Sequence, residues 1–229
     1  MKTETARNRI SDAMEPFARK HGFRRKGRAL SYFHTQNDVR LVIDFQYKST
    51  GYSPCLYLHL LYLPEHTDSL EFGNDLACIH PHHLFDLSPE MPDDVFETRL
   101  RIIIQKLDQT IDTYVRDLCS PAGVARHILN SIRYRHFFQA QPHWRLQAAA
   151  YSELMLGNLR RAEHHLVRFI KLCSSDALQL GSVISASRNA ERMVELIHDD
   201  PAGVPLVLQE IIAGSQQYAA NVAGSGALD

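Results

Sequence analysis

The chain has 229 residues, 45% of them hydrophobic and 22% charged, with a formal net charge of −1. This is the balance of an ordinary globular protein with room for one large or two small domains, and its neutrality excludes a chain-wide field that would draw it onto nucleic acid or membrane. No apolar run approaches the ~18 residues of a spanning helix, and the opening M-K-T-E-T-A-R lacks the apolar stretch of a signal peptide, so a cytoplasmic address is expected. In that setting Cys55, Cys78, Cys119 and Cys173, which show no CxxC spacing, are expected to be reduced and mostly buried.

Residues from Thr3 to His21 read as an amphipathic helix. Ile10, Met14, Phe17 and Ala18 recur at three-to-four spacing, Gly22 supplies a stop, and Pro16 is a point of kinking or splitting. Phe23 to His34 reads as a first strand and a polar Gln36-Asn37-Asp38 turn follows. Val39 to Tyr47 alternates cleanly, with Val39, Leu41, Ile43, Phe45 and Tyr47 on one side and Arg40, Val42, Asp44, Gln46 and Lys48 on the other, the pattern of a half-buried antiparallel strand. After a Gly51/Pro54 break, Leu56 to Leu63 is a third strand. Ala77 to Leu87 is a weaker fourth, with Pro81 pointing to an edge or a bulge.

Pro89 and Pro92 mark a linker. Asp93 or Asp94 is then placed to cap a long helix, whose apolar stripe is Val95, Leu100, Ile103, Ile104, Leu107, Ile111, Val115 and Leu118 and which Pro121 ends. Everything beyond reads as helix. Ile128, Ile132 and Phe137 mark one segment, followed by Trp144–Leu156, Leu159–Cys173, Ala177–Ile197 and Val204–Tyr218. The stretch from Ala148 through L-G-N to Ala162 looks like one tetratricopeptide-type helical hairpin, with no second copy at the ~34-residue period of a solenoid. The expected architecture is α+β: a helix with a four-stranded, mainly antiparallel sheet and a long helix over 1–120, an all-α helical bundle over 121–222, and a disordered tail over 223–229.

Charge is unevenly placed. Met1 to Ser53 carries eleven Lys and Arg against five acids, and Pro54 to Leu100 carries nine acids against Arg99 alone. Either the two stretches neutralise each other within the fold or one of them is a docking surface.

The block from Lys20 to Leu63 contains G-F-R-R-K-G-R, then Tyr32-Phe33, then V-I-D-F-Q-Y-K-S, then L-Y-L-H-L. With its leading helix it resembles a bacterial family still designated a domain of unknown function, number forty-three-zero-four. The likeness covers roughly Thr3 to Leu118 and leaves out the helical half. Members of that family have no established enzymatic activity, and some look like immunity proteins encoded beside secreted polymorphic toxins. The resemblance therefore implies a cytoplasmic protein that neutralises a cognate toxin by stoichiometric occlusion, with no catalysis and no cofactor. The acids Asp68, Glu71, Asp75, Glu90, Asp93 and Asp94 are the expected partner surface, since toxins acting on nucleic acid carry basic clefts that such charge would capture quickly.

Two other chemistries are written in the sequence. Cys78, His80 and His82, with His83 beside them, would share one face of an extended strand, and thiolate plus imidazole suits zinc in a metal-dependent hydrolase. Pro81 disturbs that alternation and a fourth ligand is not evident, so no metal is expected. Arg24, Arg25, Lys26 and Arg28 could contact phosphate in a nucleic-acid-binding regulator, with Tyr32, Phe33 and Tyr47 nearby. A charge-blunted edge strand is the preferred reading there, and nucleic acid is not expected as a partner. His164-His165 on a helix diverge by about 100° and cannot chelate one ion from one face. Arg126, Arg133, Arg135 and His136 read as a solvated helix face. No G-x-S-x-G, G-x-x-x-x-G-K-[ST] or G-x-G-x-x-G occurs.

Overall fold

The computed structural model describes residues 2–48, 51–64, 72–75, 86–130, 132–134, 141–174 and 181–225. Helix α1 spans Lys2–His21 without a break. Pro16 lies on its exposed side, where the carbonyl that loses its helical partner faces solvent. The stop is a Schellman turn: Gly22 has φ 69, and the Phe23 amide donates to the Ala18 carbonyl at 2.8 Å. Phe23 then packs on Phe17, ring centroids 6.0 Å apart, turning the chain back toward the sheet.

The sheet is an antiparallel meander of five strands in sequence order: β1 Arg24–Arg25, β2 Ser31–Gln36, β3 Val39–Lys48, β4 Gly51–Leu60 and β5 Phe72–Asp75. The expected first strand is thus two short ones, separated by a turn in which Gly27 takes φ 51. Asn37 and Asp38 both take positive φ, 48 and 61, the two-residue hairpin geometry whose twist suits the flanking strands. There is no break at Pro54. It pairs with Phe45 within β4, beyond the reach of β5, where a missing N–H leaves no ladder bond unmade. Gly51 is required for another reason: a Cβ there would stand 2.7 Å from the Leu87 carbonyl oxygen, because Tyr52 and Leu87 bridge backbone to backbone. Of the expected fourth strand, 77–85 lies outside the described residues and Leu87 makes only this bridge.

Leu41, Ile43, Leu56 and Leu58 line the face that α1 and α2 cover, and the core is one apolar cluster running from Ala6 to Leu208. Helix α2, Asp93–Leu118, buries Phe96, Leu100, Ile103, Leu107, Ile111, Tyr114 and Leu118. Leu100, Ile103, Leu107, Ile111 and Leu118 are buried as expected, and Ile104 and Val115 pack partly against the core; the departures are Val95, 37% exposed, and the inward Phe96 and Tyr114. Its N-cap is Pro92, with no side-chain cap bond, rather than Asp93 or Asp94.

Helices α3 (Pro121–His127), α4 (Pro142–Met155), α5 (Leu159–Cys173), α6 (Gly181–Asp199) and α7 (Val204–Ser225) complete the chain. Helix α7 extends through the first three residues of the segment expected to be a disordered tail. Helix α4 is wrapped by α3, α5 and α7 and is buried at every position from Leu146 to Leu154. Ile132, expected on a helix's apolar side, is 85% exposed outside any helix. The α4–α5 turn closes as its L-G-N predicts: Gly157 takes φ 72, and the Asn158 amide reaches the Glu153 carbonyl at 2.9 Å.

Candidate functional site

Helices α1 and α2 run side by side in the same direction and are clamped at two levels. At the upper level Arg9 donates from Nη1 to Asp93 Oδ1 at 2.7 Å, from Nη2 to the Asp93 carbonyl at 3.1 Å, and from Nε to Glu97 Oε1 at 2.8 Å. Its guanidinium also lies over the Phe96 ring, 4.3 Å from the centroid. At the lower level Lys20 Nζ donates to Asp108 at 2.7 Å, and the His21 ring sits between Asp108 (2.8 Å) and Asp112 (2.6 Å). Ionised carboxylates only accept, so bonding both of them requires both ring nitrogens to donate. The bonds from His21 and then Lys20 hold the Asp108 carboxyl below the usual carboxylate range.

Above the Arg9 clamp, the loop before α2 and the first turns of both helices enclose a shallow groove of about 310 Å³. Ala6, Met91 and Phe96 supply its apolar lining, and Arg9, Glu90 and Asp93 its polar one. Two of the six acids expected at a partner surface, Glu90 and Asp93, line the groove, and Asp94 is the next residue along α2. Asp75 ends β5, paired in register with Cys55, so it belongs to another part of the fold. Asp68 and Glu71 lie outside the described residues, as do Cys78, His80, His82 and His83.

The described acids at the start of α2 are not all uncompensated. Asp93 is engaged by Arg9, although its side chain is 92% exposed. Asp94 makes no ion pair among the described residues. Sequence reasoning missed Arg9; the available signal was a lone cation one position before the core residue Ile10, at the border of the apolar stripe.

The other expected features separate. Arg126 closes α3 while Arg133 lies beyond any helix, so the two do not share a helix face. Arg133 instead stands 3.7 Å from Asp117, which Arg116 and the Tyr134 hydroxyl also bond. Those bonds hold the Asp117 carboxyl low, and burial with the Asp117 contact pushes the Tyr134 hydroxyl up to about 12. On α5 the His164 and His165 rings are 5.7 Å apart, and burial holds His165 below the usual imidazole range. Among the described residues no three His, Cys, Asp or Glu side chains are grouped to hold a metal ion. No described helix is long and apolar enough to cross a membrane.

Comparison with models of protein families, with curated proteins and with solved structures returned no match.

Proposed function

We propose that this protein acts by stoichiometric binding of another protein through the groove between the first turns of α1 and α2. Its partner is a secreted bacterial toxin, against which it serves as a cytoplasmic immunity protein. The observation that carries the binding role is the groove: half-buried Met91 above the buried Ala6 and Phe96, beside the charged Arg9, Glu90 and Asp93, a small apolar patch with a polar rim. The toxin comes from the family resemblance of the N-terminal half. The Arg9 clamp preorganises the groove, which lowers the ordering cost of association. The carboxylates of Glu90 and Asp94 suit a partner with a basic cleft, and such charge speeds encounter more than it tightens the complex.

The test begins with the tagged protein in a lysate of the organism that encodes it. The expected result is one partner of toxin architecture, recovered in equal amount and harmful when expressed alone. Glu90→Gln with Asp94→Asn should then slow its association, and Met91→Ala should speed its release. Unchanged kinetics in both variants would remove this groove from consideration.

A further inference from the structure

On the opposite side of α1 from the Arg9 clamp, the β1–β2 hairpin collects arginines that make no ion pair among the described residues. Arg25 donates from Nε to the Ala29 carbonyl at 2.9 Å, from Nη2 to the Arg28 carbonyl at 3.2 Å, and from Nη1 to the Ser11 hydroxyl. Arg7, from α1, donates from Nη2 to that same Arg28 carbonyl. Two guanidinium groups thus converge on one neutral oxygen. Among the described residues none of Arg7, Arg24, Arg25 and Arg28 is ion-paired. A guanidinium has five N–H donors in a flat fork, so Arg7 and Arg25 retain several after these bonds. Convergent, pre-positioned forks are the usual receptor for phosphate oxygens.

The sheet adds a flat surface beside this charge. Register pairs Arg24 with Phe33, Phe33 with Val42 and Val42 with Tyr57, which places one row across the face turned away from α1 and α2. Arg40, one row along, holds its guanidinium over the Phe33 ring at 4.9 Å from the centroid. Phe33 and Arg40 are both half-buried, the guanidinium capping the ring. Asp44 is the acid of β3 on this face; burial pushes its carboxyl up, and Lys26 faces it.

We propose that this edge, formed by Arg7, Arg24, Arg25 and Arg28 with the Phe33–Arg40 pair, is a binding site for single-stranded nucleic acid. Phosphates would occupy the arginine forks, and a base would stack on the Phe33–Arg40 surface. Single strands are favoured over duplex because their bases can be splayed onto an aromatic or guanidinium plane. An acidic peptide would use the charges and leave the flat surface idle. The sequence offered Tyr32, Phe33 and Tyr47 as aromatic neighbours of the basic run, and Phe33 alone holds that place. Tyr32 is sealed in the core instead, and Tyr47, at the end of β3 that borders the β1–β2 turn, sets its ring edge-on against Tyr52.

The experiment is fluorescence anisotropy of a labelled oligothymidylate with the full chain, titrated over salt. Binding should weaken with salt at a slope of about −0.7 for each phosphate neutralised. Arg24→Gln with Arg28→Gln, two side chains that hold no hydrogen bond among the described residues, should flatten the slope by about 1.4 and leave the fold intact. Phe33→Leu should weaken binding about tenfold, the loss of one stacked base, without moving the slope. Three outcomes would overturn the proposal. One is no anisotropy change at low salt with folded protein. The second is polyglutamate competing as well as the oligonucleotide, which would reduce the edge to a general charge sink. The third is a doubled sedimentation mass at low salt without oligonucleotide, which would assign the edge to a second copy.

Discussion

The hydroxyls of Tyr62 and Ser152, ninety residues apart in sequence, meet at 2.8 Å in a buried contact. Tyr62 stands just past the end of β4 and Ser152 in the middle of α4, so the bond ties the sheet to the helices that follow. Ser152 also donates to the Ala148 carbonyl at 2.7 Å, so its oxygen is left to accept from Tyr62. Burial pushes the Tyr62 hydroxyl well above its ordinary value, which keeps it a donor at any working pH. Tyr62→Phe removes that donor without a cavity and should cost about 1 kcal/mol; Tyr62→Ala adds a void and should cost about 3–5 kcal/mol. Trp144, the only tryptophan, reports from α4. Its fluorescence transition in urea should shift with the far-ultraviolet signal of the whole chain in both variants. A shift in one signal alone would mean that the bond does not couple the two parts.

Gly51 and Gly181 make a matched test of backbone approach. A Cβ at position 51 meets the Leu87 oxygen at 2.7 Å and the Ser88 Cα at 2.8 Å, both backbone atoms that cannot swing aside. Gly51→Ala should therefore destabilise by about 1–3 kcal/mol, as overpacking does. Position 181 opens α6 with nothing within 4 Å, so Gly181→Ala should be neutral or stabilise by up to about 1 kcal/mol through the unfolded chain. Melting temperatures of the two variants, measured side by side, should move in opposite directions or differ plainly in size.

The fold was legible where one local signal dominates. The alternation from Val39 to Phe45, the Asn37-Asp38 turn, Gly22 and the L-G-N turn each encode a dihedral or a face directly, and each is found in its expected role. Strand β5 was not legible, because Phe72–Asp75 is spelled F-G-N-D, a breaker composition that pairs only because β4 offers an edge. The α2 stripe was legible from Leu100 to Leu118 and misread only at its start, because Val95 and Phe96 are both apolar and only packing against α1 decides between them. The candidate groove was half legible. The acids of the α2 start were found from charge alone, but Arg9, which determines how they are used, is a long-range partner that no spacing rule reaches.

Thiol chemistry separates the cysteines. Cys119 is 1% exposed, and burial pushes its thiol up to about 12, so it holds almost no thiolate at neutral pH. Cys55 is also buried, while Cys173 is partly exposed at the end of α5. Only the thiolate reacts with alkylating reagents. Brief iodoacetamide treatment of the native protein should modify Cys173 ahead of Cys55 and Cys119, and unfolding in urea should equalise the three. Peptide mass spectrometry reads the order directly, and early labelling of Cys119 would contradict the buried placement of the α2–α3 junction.

Acid should loosen the α1–α2 clamp in a defined way. Asp108 is held low by His21 and Lys20, and Asp117 by Arg116 and Tyr134. A carboxylate depressed in the fold takes up a proton more readily when the chain is unfolded, so protonation favours unfolding. Both contributions are fully present above the unfolded value of about 3.9 and are lost as pH falls through it toward the lower folded values. Asp44 acts in the opposite sense: burial raises its carboxyl, so what its protonated form contributes is present at low pH and is lost as pH rises through the folded value. Melting temperature followed from neutral to acid pH should fall less steeply in Asp108→Asn and Asp117→Asn than in the parent, from a lower neutral starting point. Asp44→Asn should instead raise the neutral melting temperature and leave the acid limb where it was. An Asp108→Asn variant with the parent's acid slope would show that the His21–Asp108 bond does not persist in solution.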